Sequence, residues 1–136
     1  MTDNLTSEMR SENMRRIRST DTSPERTVRR LVHAMGYRFR LHVRTLPGCP
    51  DLVLPRLCKV ILVHGCFWHS HQGCNETHVP KTRSDYWRPK LEGNKQRDIE
   101  NEAKLKEDGW NVLVVWECET VREEKLSKRL KRFLAS

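Results

Sequence analysis

The hydrophobic positions of this chain follow two periods, and together they predict an α/β protein. Val28, Leu31, Val32 and Met35 recur at helical spacing. They follow Ser23-Pro24-Glu25, which reads as N-cap, first helical residue and first-turn acid, and they precede the stop residue Gly36. Tyr37, Phe39, Leu41 and Val43 then alternate with Arg38, Arg40 and His42, the pattern of a half-buried strand with a basic outer face. Leu46-Pro47-Gly48-Cys49-Pro50 is a turn, Asp51 to Leu54 a short strand, and Cys58 to His64 another strand able to pair with it as a hairpin. Helix is predicted from Ser84 to Leu91 and from Asn94 to Asp108, with Ile99, Ala103 and Leu105 or Lys106 near the inner face. Asn111 to Trp116 is the most apolar strand and is predicted to be central. Val121, Leu126, Leu130, Phe133 and Leu134 mark a terminal amphipathic helix. This order suits a three-layer α/β/α fold with a central mixed sheet.

Composition narrows the partners. The 136 residues suffice for one domain, and 26 Lys and Arg against 18 Asp and Glu give a net charge of +8. With four Trp in the same chain, that balance points to nucleic acid. Residues 1–20 read as a flexible basic segment, in which Met14, Ile17 and several Arg form a short helix ordered on a partner; residues 21–136 form the domain. The segment has no apolar core of a leader, and the longest apolar runs are about five residues, far short of a membrane span. A cytoplasmic location is expected. In that reducing setting Cys49, Cys58, Cys66, Cys74 and Cys118 are not a disulfide scaffold. Cys49 and Cys58 are expected to pack in the core.

The densest chemistry lies in His64-Gly65-Cys66-Phe67-Trp68-His69-Ser70-His71-Gln72-Gly73-Cys74, directly after an apolar strand. Cys66, His71 and Cys74 can converge on one zinc ion from a single loop, and Cys118, just past the last strand, is the best fourth ligand for a closed structural site. His64 and His69 then remain for other work. The hairpin can bring Asp51 beside them, joining a hard oxygen ligand for Mg²⁺ to imidazoles able to move a proton. Asp98 can orient such a His, and Glu25 can join the acidic side. Phe67 and Trp68, on a cross-linked loop, suit insertion into a base stack. Trp110 and Trp116 are read as core. Arg15, Arg16, Arg18, Lys81, Arg83, Lys90, Lys95 and Arg97 are candidate phosphate contacts.

These residues carry a family likeness. Arg10 to Met14, Asp21 to Glu25, Leu46 to Asp51, His64 to His71, Pro80 to Arg83, and Gly109-Trp110 through Val115-Trp116-Glu117-Cys118 resemble the very short patch repair (Vsr) endonucleases, bacterial DNA mismatch endonucleases. The resemblance implies a restriction-endonuclease-like fold in which Pro50-Asp51 matches the first half of the PD-(D/E)xK signature. It implies a Mg²⁺-dependent nick 5′ to the thymine of a T:G mismatch left by 5-methylcytosine deamination. It also implies Asp51 and the Val63 carbonyl as magnesium ligands, His69 as general base, His64, Asp98 and Glu25 in support, and Cys66, His71, Cys74 and Cys118 on zinc. Trp87 matches a third intercalating residue, and Met14, Arg15, Lys81, Arg83 and Lys95 fall among the DNA contacts. A monomer and a MutL-type mismatch-repair partner are implied in the same way. The chain departs from the family pattern with Val63 in place of Thr, at a position whose role runs through the backbone, and with one extra residue before Cys74. Two other readings keep the same basic surface: a zinc-containing DNA-binding module without catalysis, and a restriction endonuclease acting on matched DNA.

Overall fold

Helix α1 (Ser23–Ala34) opens the domain and is capped by Thr22, whose hydroxyl accepts the Glu25 N–H at 3.3 Å. The cap lies one residue before the predicted Ser23, a shift that Pro24 permits because it has no N–H to satisfy. The chain is described here from a computed structural model, which covers residues 22–66, 69, 71 and 84–136. The remaining elements are β1 (Arg40–Leu41), β2 (Leu52–Leu54), β3 (Lys59–His64), α2 (Ser84–Glu107), β4 (Asn111–Trp116) and α3 (Glu123–Ala135).

The four strands form one mixed sheet in the order β1-β2-β3-β4, antiparallel up to β3 and parallel between β3 and β4. The hairpin of β2 and β3 is as expected, with Val53 opposite Val60. Alternation sends Leu52, Leu54 and Ile61 to one face, where Val28 and Val32 of α1 and Leu126, Leu130 and Leu134 of α3 cover them. Val53 and Val60 point to the other face, under Leu105 of α2. Helices thus lie on both sides of the sheet.

Several expectations change. Strand β4 is not central: among the described residues it has one ladder neighbour, and β2 and β3 are the enclosed strands, with Leu52–Leu54 and the first four residues of β3 buried. Apolar content reports the faces a strand covers, not its place in the sheet. The strand predicted over 37–43 shrinks to Arg40–Leu41, because His42 adopts a left-handed φ of 49° and breaks the alternation. Leu41 is exposed and His42 is half-buried. The two helices expected around Gly93 are one helix, α2, which runs through Pro89 and Gly93. Its inward stripe is Leu91, Asn94, Asp98, Asn101 and Leu105, whereas Ile99 is 56% exposed. Cys58 is exposed and Cys49 half-buried, each at a positive φ in a turn, so neither is a core thiol. Val121 is 81% exposed and precedes α3 in a 3₁₀ turn. Among the described residues, no helix is long and apolar enough to cross a membrane.

Candidate active site

Three groups of ionisable side chains gather where β3 ends. The pairing of β3 with its neighbours explains all three.

The first group is His64, His69 and Asp98. His64 is the last residue of β3, and a turn closed by His69 N–H donating to Gly65 O at 3.1 Å folds His69 back over it. The two imidazoles stack with centroids 3.9 Å apart and planes 6° from parallel. Burial, and next the neighbouring His69, push the His64 pKa down to about 4, so the ring is neutral at physiological pH. Its Nδ1 is buried without a hydrogen-bond partner among the described residues. His69 Nδ1 lies 2.5 Å from Asp98 Oδ2 on the inner stripe of α2. With a carboxylate on Nδ1, that nitrogen carries the proton and Nε2 is left as the basic atom.

The second group is Glu25, His42 and Asp51. Asp51 immediately precedes β2, and its Oδ2 accepts the Val63 N–H of β3 at 2.7 Å. Glu25, 2% exposed in the first turn of α1, presents Oε2 to Arg29 at 2.9 Å and to His42 Nε2 at 2.8 Å. Burial raises the Asp51 pKa to about 7; the Val63 hydrogen bond opposes this and the Glu25 carboxylate adds to it. A carboxyl that ionises reluctantly beside a second carboxylate is the donor set a hard cation relieves. The Glu25 and Asp51 oxygens, with His42 Nε2 in the same group, therefore fit a divalent cation.

The third group is Cys66, His71 and Cys118. The parallel register pairs His64 with Trp116, and two residues further along each chain lie Cys66 and Cys118. Cys66 Sγ and Cys118 Sγ each stand 3.6 Å from His71 Nδ1. A tetrahedral ion with sulfur at ~2.3 Å and nitrogen at ~2.05 Å sets the sulfur–nitrogen separation at ~3.6 Å. Both sulfurs thus stand from the ring nitrogen at the separation a zinc ion would set. His71 stacks on Trp116 at 4.1 Å, and Trp116 presents its edge to His64 at 5.2 Å.

The structure therefore brings together Glu25, Asp51 and the Val63 N–H in one group, His64, His69 and Asp98 in a second, and Cys66, His71 and Cys118 in a third. Phe67, Trp68, Cys74, Met14, Arg15, Arg16, Arg18, Lys81 and Arg83 lie outside the described residues. Trp87 is half-buried in the first turns of α2, edge-on to Tyr86 at 5.1 Å, and Lys95 is half-buried on the same helix. Lys90 lies over the Tyr86 ring and Arg97 is exposed. Two residues were missed. His42 was read as outward-facing; the cross-strand register, extended one step beyond Leu41 and Leu52, places it opposite Asp51. Trp116 was read as core and instead joins the two histidine groups.

The family model described as "DNA mismatch endonuclease Vsr" matches residues 2–76. The chain is 51% identical over 134 residues to the type II nicking enzyme V.XorIIP of Xanthomonas oryzae pv. oryzae, covering 98% of both chains. It is 41% identical over 134 residues to the type II nicking enzyme V.NmeAIP of Neisseria meningitidis, covering 98% of this chain and 95% of that one. It is 41% identical over 130 residues to the DNA mismatch endonuclease Vsr of Escherichia coli, covering 92% of this chain and 83% of that one. The protein belongs to the Vsr family of DNA mismatch endonucleases.

Proposed function

We propose that this mismatch endonuclease nicks one strand of double-stranded DNA 5′ to the thymine of a T:G mismatch, the lesion left by 5-methylcytosine deamination. One observation carries the reading. Asp51 is hydrogen-bonded to Val63, and the next residue, His64, stacks on the His69 that Asp98 orients. A cation-binding carboxylate and an oriented imidazole thus flank two consecutive residues of one rigid strand.

Asp51, with Glu25 beside it and the Val63 carbonyl, holds magnesium in this reading. Magnesium bound there supplies charge stabilisation at the scissile phosphate. His69 Nε2 takes the proton of the attacking water, and Asp98 on Nδ1 stabilises the imidazolium that results. His64, neutral and buried, supports the His69 ring from one side without adding charge. Cys66, His71 and Cys118, with Cys74 as fourth ligand, hold zinc as a structural cross-link. The loop they brace carries Phe67 and Trp68, which with Trp87 part the stack where a mismatch makes this cheapest. Met14, Arg15, Lys81, Arg83 and Lys95 contact the DNA. The fold is of the restriction-endonuclease type, with residues 1–20 as a segment that orders on DNA and 21–136 as the catalytic domain. Strand nicking accords with the relatives named nicking enzymes.

The test is cleavage of a T:G duplex with Mg²⁺, beside a matched duplex, by the wild type, Asp51→Ala and His69→Ala. One strand should be cut only in the mismatched duplex, and each variant should lose at least ~10³-fold in rate. Wild-type rates in both variants overturn the site; equal cutting of the matched duplex overturns the substrate.

A further inference from the structure

His42 stands in the acidic pocket, and the reaction just described gives it no role. It lies opposite Asp51, one step past the pairs Arg40 with Val53 and Leu41 with Leu52. The His42 N–H donates to Asp51 O at 3.3 Å, which continues that ladder. The imidazole and the Asp51 carboxylate meet beside Glu25 of α1, where His42 Nε2 stands 2.8 Å from Glu25 Oε2. The His42 φ of 49° is a conformation few side chains other than Asn, Asp and His adopt. One ligand atom from each of Glu25, His42 and Asp51 lies within 4.8 Å of the others.

We propose that His42 is a nitrogen ligand in the cation pocket of Asp51 and Glu25, so that this site prefers Mn²⁺ or Co²⁺ to Mg²⁺. This rests on the assignment of that pocket as the catalytic metal site. Neighbouring ligands of an octahedral ion at ~2.1 Å stand ~3.0 Å apart, and His42 Nε2 is 2.8 Å from Glu25 Oε2. Glu25 does not need His42 as a counter-charge, because Arg29 already pairs with the same oxygen at 2.9 Å. Magnesium is satisfied by carboxylate, carbonyl and water, whereas imidazole nitrogen favours the transition metals. An imidazole in the donor set therefore shifts metal preference even where the carboxylates alone would hold magnesium.

The experiment uses the full zinc-loaded chain. Mn²⁺ is titrated by electron paramagnetic resonance, Mg²⁺ is measured by competition, and the bound Mn²⁺ is examined for ¹⁴N coupling by spin-echo modulation. The wild type should hold Mn²⁺ ~10–100-fold more tightly than Mg²⁺ and show ¹⁴N coupling. In His42→Gln, Mn²⁺ affinity should fall ~10-fold or more, Mg²⁺ affinity should change less than ~3-fold, and the ¹⁴N coupling should vanish. His42→Asn repeats the test if the Gln variant melts early. Absence of ¹⁴N coupling in the wild type overturns the proposal without any variant. Coupling that persists in both variants, or parallel losses of the two ions, also overturns it, and the parallel losses would leave His42 as a holder of Glu25. Failure of the pocket assignment looks different: Asp51→Asn would then keep both ions at wild-type affinity.

Discussion

Two buried groups in the site make opposing demands on pH, and removing either should expose the other. His64 titrates near 6.5 in an unfolded chain and at about 4 in the fold, because burial and then His69 disfavour its charge. Between those values the unfolded chain binds the extra proton. Stability from this group is therefore complete above ~6.5 and is lost as pH falls toward 4. Asp51 is shifted the other way, to about 7, chiefly by burial. Here the folded chain holds the extra proton, so without added magnesium the protein gains stability from this group as pH falls from 7. Each proton contributes ~1.4 kcal/mol per pH unit, and allowing for the ends of each titration the two effects are ~2 kcal/mol apiece between pH 7 and 5. They nearly cancel in the wild type. Asp51→Asn should therefore lose ~2 kcal/mol more than the wild type on acidification from pH 7 to 5, and His64→Asn ~2 kcal/mol less. Urea unfolding of the zinc-loaded protein at both pH values measures this. Three parallel stability curves would refute the burial argument; a steeper loss in His64→Asn would show that its sign is wrong.

Asp98→Asn should lower the single-turnover nicking rate roughly 10³-fold while T:G duplex affinity stays within ~3-fold. At 2.5 Å and an effective dielectric of ~20 the carboxylate attracts a protonated His69 by ~7 kcal/mol, of which exposure and the Asn dipole leave ~4 as the loss; a loss confined to binding would contradict the role given to Asp98. Cys118→Ser should reduce zinc affinity at least ~100-fold, measured by chelator competition, and lower the Tm. Lys59→Met should destabilise by ~2–3 kcal/mol in urea, because Lys59 Nζ donates to the carbonyls of Phe133, Leu134 and Ser136 at the end of α3, with no change in nicking rate per folded molecule.

The legible parts of the chain were those where one period ran unbroken. Val28 and Val32, the hairpin of β2 and β3, and Leu126, Leu130 and Leu134 follow from spacing alone, and the hairpin already carried Asp51 toward β3. The illegible parts are those where function replaces packing. Helix α2 lacks a clear apolar stripe because its inward face delivers Asp98 to His69 and Asn101 to the turn before Asp51, rather than filling a core. Gly48, at φ 74°, meets Asn101 so closely that an added Cβ would stand 3.0 Å from Asn101 Cβ. A polar residue required at such a contact erases the period that a sequence reader uses. His42 was hidden for a related reason: one left-handed residue reverses the face of all that follows, and no alternation can announce it.

The same register accounts for how one strand end gathers two groups of side chains able to hold a metal ion. A parallel pair keeps a constant offset, so β3 and β4 align Lys59 with Asn111 and, five residues later, His64 with Trp116. Carrying that offset past the strand ends brings Cys66 to Cys118, and the sulfurs meet His71 there. Trp116 fills the step between: it stacks on His71 with planes 7° from parallel and packs edge-on against His64 at 76°. A rigid indole in contact with both rings ties the position of His64 and His69 to the integrity of the Cys66, His71 and Cys118 group. Loosening the cluster therefore costs more than loop order: it removes the surface against which His64, and through it His69, is held.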